Sequence, residues 1–167
     1  MKAASTPSHL LTFRTQGRLY ACDLLWVHEI LRQPGVTEVN CAPPEVLGLI
    51  HLRGQILTAL DLDRRLGHPP APKPPSARCI VFKTAGELAR LTTPPADADR
   101  AGNDLVGILV DSIGDILTTT QDLLPPPNDS LSKLDTACFA GVLARPEGLV
   151  ALLNIGHLLS PSALAAT

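Results

Sequence analysis

Five histidines, four cysteines and a scatter of aspartates are the side chains in this sequence that could carry nucleophilic, acid-base or metal chemistry. A nucleophile needs a base within hydrogen-bond reach. Cys22, Cys41, Cys79 and Cys138 stand far apart, and no local spacing ties any of them to His9, His28, His51, His68 or His157. Cys22 and Cys79 fall inside strand-like apolar runs, where a cysteine is by default a small buried hydrophobe. The group His51, Asp61, Asp63 and His68 lacks HxxxH, HExxH or calcium-loop spacing, and Gly102, Gly107 and Gly114 compose no phosphate loop. No catalytic, metal or cofactor site is assigned on these residues. Asp61-Leu62-Asp63-Arg64-Arg65 reads as a strand end with solvated or paired charges, and His51 as a surface or interface residue.

Recognition asks for less: an exposed, oriented surface suffices. Arg53-Gly54 interrupts an apolar stretch from Val46 to Leu62. Arginine suits a docking surface because its rigid donor fork pairs a carboxylate while its stem covers apolar area. Gly54 sets a tight turn, so the flanking strands control where Arg53 points. Val27, Glu29 and Ile30 supply a second segment of mixed apolar and acidic character. On the residues alone, Arg53 is either structural punctuation with an ion-pair partner at the edge of the core, or a partner contact.

The elements that must hold these residues are short. With 45% hydrophobic and 18% charged residues, the 167-residue chain has ample core material for one domain or two small units sharing a core. Aromatics make up only 3%, so the core is aliphatic and platforms for stacking bases are scarce. A net charge of −2 gives no broad attraction for nucleic acid or an anionic membrane. No apolar run approaches the ~20 residues of a membrane helix, and Met1-Lys2-Ala3-Ala4-Ser5 has no leader character. The expectation is a cytoplasmic protein with reduced thiols and no membrane insertion.

Residues 1–9 read as a flexible tail. Leu10–Phe13 and Arg18–Cys22 predict two strands about a Gln16-Gly17 turn, and Asp23 caps a helical turn over Leu24–Trp26. Val27–Leu31 continues from that turn. Pro34-Gly35 turns the chain, and Val36–Val39 predicts another strand. The arms Leu47–Leu52 and Gln55–Leu60 are too continuously apolar for a half-wet sheet, so both faces should be covered. Residues 67–76 form a proline-rich spacer. Arg78–Phe82 is a strand, 92–103 a polar insertion and Leu105–Asp111 a second strongly apolar strand, with an extended, bulged segment over Ser112–Thr120. Pro125–Pro127 breaks the chain. Ala137–Ala144 and Gly148–Leu153 predict a closing hairpin, and Asn154 caps a short C-terminal helix bearing Ile155, Leu158 and Leu159. This spacing of short strands predicts a barrel-like all-β protein with minor helix.

Together the segments resemble the CheW-like family of chemotaxis coupling proteins. The resemblance is carried by Phe13, Tyr20–Asp23, Val27–Ile30, Pro43–Gly54, Asp61-Leu62, Val106–Asp111, Gly141-Val142 and Leu149–Leu159, across residues 10–160, with 161–167 left as a tail. It implies two small SH3-like five-stranded barrels, interlocked around a shared hydrophobic core, with short helices including a C-terminal one. It also implies a non-enzymatic scaffold without cofactor. Such a scaffold would link the cytoplasmic tip of a methyl-accepting chemoreceptor to the regulatory domain of a CheA-type histidine kinase, in arrays at the membrane.

By the same carry-over Arg53 and Gly54, with Val27, Glu29 and Ile30, form the receptor contact, and apolar residues of 46–60 face the kinase. The chain departs from the family pattern at Thr58-Ala59, where Pro-Val is usual, and at Asn154, where aspartate is usual; its 69–75 and 92–104 loops are enlarged. Two other readings are open: a CheW-like adaptor of a pilus or second-messenger pathway, and a small β-barrel ligand-binding protein or enzyme.

Overall fold

The computed structural model describes residues 8–32, 35–69, 71–95, 98–119 and 138–159. Strands β1 (Ser8–Thr15) and β2 (Arg18–Asp23) form a hairpin whose turn residues Gln16 and Gly17 both take positive φ, 49° and 76°. These are the signs a two-residue primed turn requires. Asp23 accepts the Leu25 amide at 2.9 Å and opens a single 3-10 turn, Leu24–Trp26, which buries Trp26. The chain then runs through β3 (Val27–Arg32), β4 (Val46–Leu52), β5 (Gln55–Asp61), α1 (Leu62–Leu66), β6 (Arg78–Phe82) and α2 (Ala85–Ala89). After a 3-10 turn at Ala98–Arg100 follow β7 (Leu105–Val110), β8 (Ser112–Thr119), β9 (Phe139–Arg145), β10 (Gly148–Leu153) and α3 (Ile155–Leu158).

The ten strands among the described residues make two mixed five-stranded sheets, ordered β8-β1-β2-β10-β9 and β3-β6-β7-β5-β4. The first takes strands from both ends of the chain, with β10 lying parallel to β2. The second is contiguous in sequence, with β5 parallel to β7. Between them lies one large core: Phe13, Tyr20 and Leu153 from the first sheet meet Leu60, Ile80, Phe82, Ile108 and Val110 from the second. Alternate residues of the second sheet, among them Leu57, Ala59, Cys79, Val81 and Leu109, build a separate apolar cluster on its other face. Both faces of the central strands are therefore buried, which is why their sequences run apolar without alternation.

The all-β framework and the shared core stand; the two closed barrels do not. Each sheet is open, with β8 and β9 at the edges of one and β3 and β4 at the edges of the other, and among the described residues no ladder joins either pair of edges. Closure would need backbone hydrogen bonds between β3 and β4. The free edge of β4 instead meets Thr37: Thr37 and Leu49 exchange both amide-to-carbonyl bonds at 2.8 Å. That single bridge is also all that forms of the strand expected over Val36–Val39. It depends on Gly48, where a Cβ would stand 2.2 Å from the Thr37 carbonyl oxygen.

Helices α1 and α2 lie where the strand pattern predicts no helix. Asp61 does not end in solvent: its carboxylate accepts the Asp63 amide at 3.0 Å and caps α1, which stops at Gly67 in the left-handed region with φ 95°. Asp63 is fully buried and paired with Lys73 at 3.3 Å, so of the two alternatives expected for these charges, solvated or paired, the second holds for it. Helix α2 opens on a capping box formed by Thr84 and Glu87. Asn154 caps α3 by accepting the His157 amide at 3.1 Å, the role expected of it. Ala137, the Pro125–Pro127 break, Pro34 and both expected tails apart from Ser8 and His9 lie outside the described residues.

Candidate protein-docking site

Thiol chemistry is disfavoured at three of the four cysteines. Cys22, Cys79 and Cys138 are buried in the apolar clusters, and Cys41 alone is exposed. Burial, reinforced by the Asp23 carboxylate, raises the Cys22 pKa well above the thiol range, and burial pushes Cys79 up to about 12. Both stay protonated and non-nucleophilic near neutrality. Asp61 caps α1 and Asp63 Oδ2 is taken by Thr15 and Lys73, and no group of three or more potential ligands gathers around them among the described residues. A concavity of about 620 Å³ opens between the β1–β2 and β9–β10 hairpin tips, lined by Arg18, Tyr20, His68 and Leu149 among others. Burial pushes the Tyr20 hydroxyl up to about 12, and burial together with Arg18 lowers the His68 pKa. The concavity offers no activated nucleophile.

The docking candidates lie at the other hairpin. Leu52 pairs with Gln55, leaving Arg53 and Gly54 as a two-residue loop with φ of 49° and 82°. Both positive values define a type I′ turn, which matches the twist of the strands and fixes the loop rigidly. Arginine in that left-handed position costs about 1 kcal/mol against glycine. The side chain it carries projects outward, 76% exposed, yet its Nη2 donates to Glu29 Oε2 at 2.8 Å. The tip of one hairpin is thus tied to an edge strand of the same sheet. Arg53 is neither buried nor unpartnered: the ion pair, one of the two sequence alternatives, is formed, and the guanidinium that makes it remains exposed.

Strand β3 does not present its candidates on one face. Glu29 pairs with Val81, but Val27 pairs with Phe82, so one residue, His28, is extra. The bulge reverses the alternation. Val27 and Ile30 lie on the face of Phe82 and Ile80, towards the large core, while Glu29 and Leu31 lie on the face of Val81 and Cys79. Arg53 and Glu29 are therefore brought together, with Gly54 shaping their turn. Val27 and Ile30 sit across the strand, Ile30 as an exposed side chain. Beside the tip, Ile56 is 55% exposed opposite His51, and adds apolar surface to the guanidinium.

Two further residues join this site. His28 Nδ1 lies 2.6 Å from Glu87 Oε2 on α2, and His28 Nε2 lies 3.4 Å from Glu29 Oε1. Burial acts to raise the Glu87 pKa, but the Thr84 amide, His28 and the Thr84 hydroxyl outweigh it and hold the carboxyl below its ordinary range. The Thr84-Ala85-Gly86-Glu87 capping-box spacing was the available signal for placing Glu87 at a helix start. Its meeting with His28, 59 residues earlier, had no local signal.

The sequence pattern that defines the CheW-like domain matches residues 9–162 of the chain. A probable chemotaxis protein CheW of Rhizobium etli is 30% identical over 151 residues, covering 90% of this chain and 86% of that one. The chemotaxis protein CheW of Rhizobium meliloti is 28% identical, covering 87% of this chain and 83% of its own. Among solved structures, the scaffolding protein TtCheW of Thermoanaerobacter tengcongensis superposes with a TM-score of 0.72 over 92% of each chain; at 23% identity this likeness speaks for the fold alone.

Proposed function

The chain belongs to the CheW-like domain family, whose members are non-catalytic scaffolds of chemotaxis signalling, and on that premise we propose that it couples a methyl-accepting chemoreceptor to a CheA-type histidine kinase. Residues 10–160 act as one such domain. One surface grips the cytoplasmic tip of the receptor and another holds the kinase regulatory domain, in arrays on the cytoplasmic side of the membrane. No helix among the described residues is long and apolar enough to cross a membrane. Regulation passes through the scaffold only if its contacts differ between active and inactive kinase. Individually weak contacts suffice, since linkage in an array raises effective concentration.

The observation that carries the receptor assignment is the Arg53 guanidinium, 76% exposed on a rigid I′ turn and aimed by Glu29. An exposed cation held in one direction can pair an acidic group on a partner helix without first paying to order itself. Gly54 sets the turn that carries Arg53, Val27 and Ile30 belong to the proposed receptor surface only at its margin, from the other face of β3, and apolar residues of the β4–β5 hairpin serve the kinase side. The test is co-sedimentation or titration with a receptor cytoplasmic fragment and with the kinase regulatory domain, comparing wild type with Arg53→Glu. We expect receptor binding to be lost and kinase binding kept in a folded variant; equal receptor affinity of the two proteins would remove Arg53 from the receptor contact.

A further inference from the structure

The Arg53–Glu29 pair leaves one atom unaccounted for. Glu29 Oε2 takes Arg53, but Oε1 is buried and has no hydrogen-bond partner. A buried carboxylate oxygen without a donor is costly, and the group lying beside it is His28 Nε2, 3.4 Å away and within ion-pair range but not hydrogen-bonded. The same imidazole is committed on its other side, where Nδ1 faces Glu87 Oε2 at 2.6 Å. Glu87 is an anion there, with Oε1 drawn to the Thr84 amide and hydroxyl at 3.3 Å. Its Oε2 can only accept, so Nδ1 must carry the proton.

The consequence follows from the chemistry of the ring. A neutral imidazole with its proton on Nδ1 turns a lone pair from Nε2 towards Glu29 Oε1, setting two acceptors against each other. An imidazolium puts a positive charge 3.4 Å from the same oxygen in place of that lone pair, an ion-pair attraction that offsets the buried negative charge. We propose that His28 is a positioning residue for the docking tip, which as an imidazolium clamps Glu29 between α2 and Arg53, so that the tip is firmly aimed at low pH and loosened at high pH. This rests on the reading of Arg53 as the receptor contact.

The charged groups around the ring are consistent with that role. Glu29 faces it from β3 and Glu87 from α2; Arg53, from the β4–β5 tip, is separated from it by the Glu29 carboxylate. Lys83, which follows β6, gives its ammonium to the Leu25 carbonyl at 2.9 Å, and the β6 residues paired to this part of β3, Val81 and Phe82, are apolar. Two carboxylates thus flank one imidazole, and the ion pair with Glu87 anchors it to a helix that is itself capped by the same side chain.

The test uses the full-length protein and a receptor cytoplasmic fragment at about pH 6 and about pH 8.5, on either side of the range where histidine changes charge. Wild type should bind about three- to tenfold more tightly at the lower pH, as an intermediate-strength ion pair allows. His28→Ala should bind as weakly at both pH values as wild type does at the higher one. His28→Lys, charged throughout, should restore tight binding without the pH dependence. In an Arg53→Ala background, His28→Ala should cost nothing further. Wild-type pH dependence surviving in His28→Ala, or an additive loss in the double variant, overturns the proposal.

A measurement on the free protein separates this outcome from failure of the receptor assignment. The nitrogen-15 signals of the Arg53 guanidinium should shift in step with the His28 ring in a pH titration, and the shift should vanish in His28→Lys. If Arg53→Ala leaves receptor binding intact while this coupled titration holds, the receptor reading falls and the clamp stands. If the Arg53 signals ignore the ring, the clamp falls whatever the receptor does.

Discussion

The ammonium of Lys73 lies 3.3 Å from Oδ2 of Asp63, a carboxylate with no exposed surface. Lys73 belongs to the proline-rich spacer, and its side chain also reaches Thr15 Oγ1 at 3.2 Å and Asp111 Oδ1 at 3.4 Å. Asp111 in turn accepts the Gln16 amide at 2.8 Å. One cation thus fastens the spacer to the first hairpin, to α1 and to the crossover from β7 to β8. The spacer is a strap across the join between the sheets.

Replacing Lys73 by methionine leaves Asp63 buried with Thr15 as its main donor, and the second oxygen, Oδ1, already has no partner. We expect a loss of about 2–3 kcal/mol in urea unfolding, the cost of stranding a buried charge. The double variant Lys73→Met, Asp63→Asn should regain part of it. A single variant within about 0.5 kcal/mol of wild type would show that the strap is incidental.

Arg53→Gly separates the two roles of the turn. Relief of the left-handed strain should offset the loss of an exposed ion pair, giving a change in stability within about 1 kcal/mol. Receptor affinity should nevertheless drop as far as in Arg53→Ala. A glycine variant that binds the receptor like wild type would mean that the guanidinium is not the contact.

Gly48→Ala tests the bridge that occupies the free edge of β4. A Cβ there meets the Thr37 carbonyl oxygen at 2.2 Å and its carbon at 2.8 Å, backbone atoms that cannot step aside. Thermal unfolding should show a loss of about 2–3 kcal/mol or failure to fold. Gly17→Ala, where nothing lies within 4 Å, should cost only the strain of its φ of 76°.

Asn154→Asp should hold or slightly raise stability, because either side chain accepts the His157 amide and the added charge favours a helix start. Asn154→Ala should cost about 1 kcal/mol. Equal losses in the two variants would show that the amide nitrogen of Asn154, and not its oxygen, matters.

Thiol titration reads the burial directly. Under native conditions a disulfide reagent should modify Cys41 rapidly and Cys22 and Cys79 only on unfolding. Cys79 also sets a sign: its pKa rises from the ordinary 9.0 to about 12 on folding, so the unfolded chain ionises first. Its contribution is complete below pH 9.0 and is lost as pH climbs from there towards about 12. Rapid labelling of all four thiols in the native state would contradict the packing described.

The sequence by itself determined the strands that form, most of the turns and the family, though it also predicted a strand over Val36–Val39 that is reduced to one bridge. Alternation and glycine placement are local: Gln16-Gly17 and Arg53-Gly54 announce their hairpins, Asp23 and Asn154 their caps, and unbroken apolar runs at β5 and β7 announce burial on both faces. The capping box of α2 and the Asp61-to-Gly67 frame of α1 were present in the same local code but unread. Tertiary structure alone decided the rest. Whether a sheet closes depends on what reaches its edge, and Thr37 reaches β4 where β3 does not. Whether Glu29 shares a face with Val27 depends on one bulged residue. Whether Arg53 is loose or aimed depends on a carboxylate 24 residues away and an imidazole beside it. These are contacts between segments that no spacing along the chain encodes, because their geometry is set only when the two sheets pack.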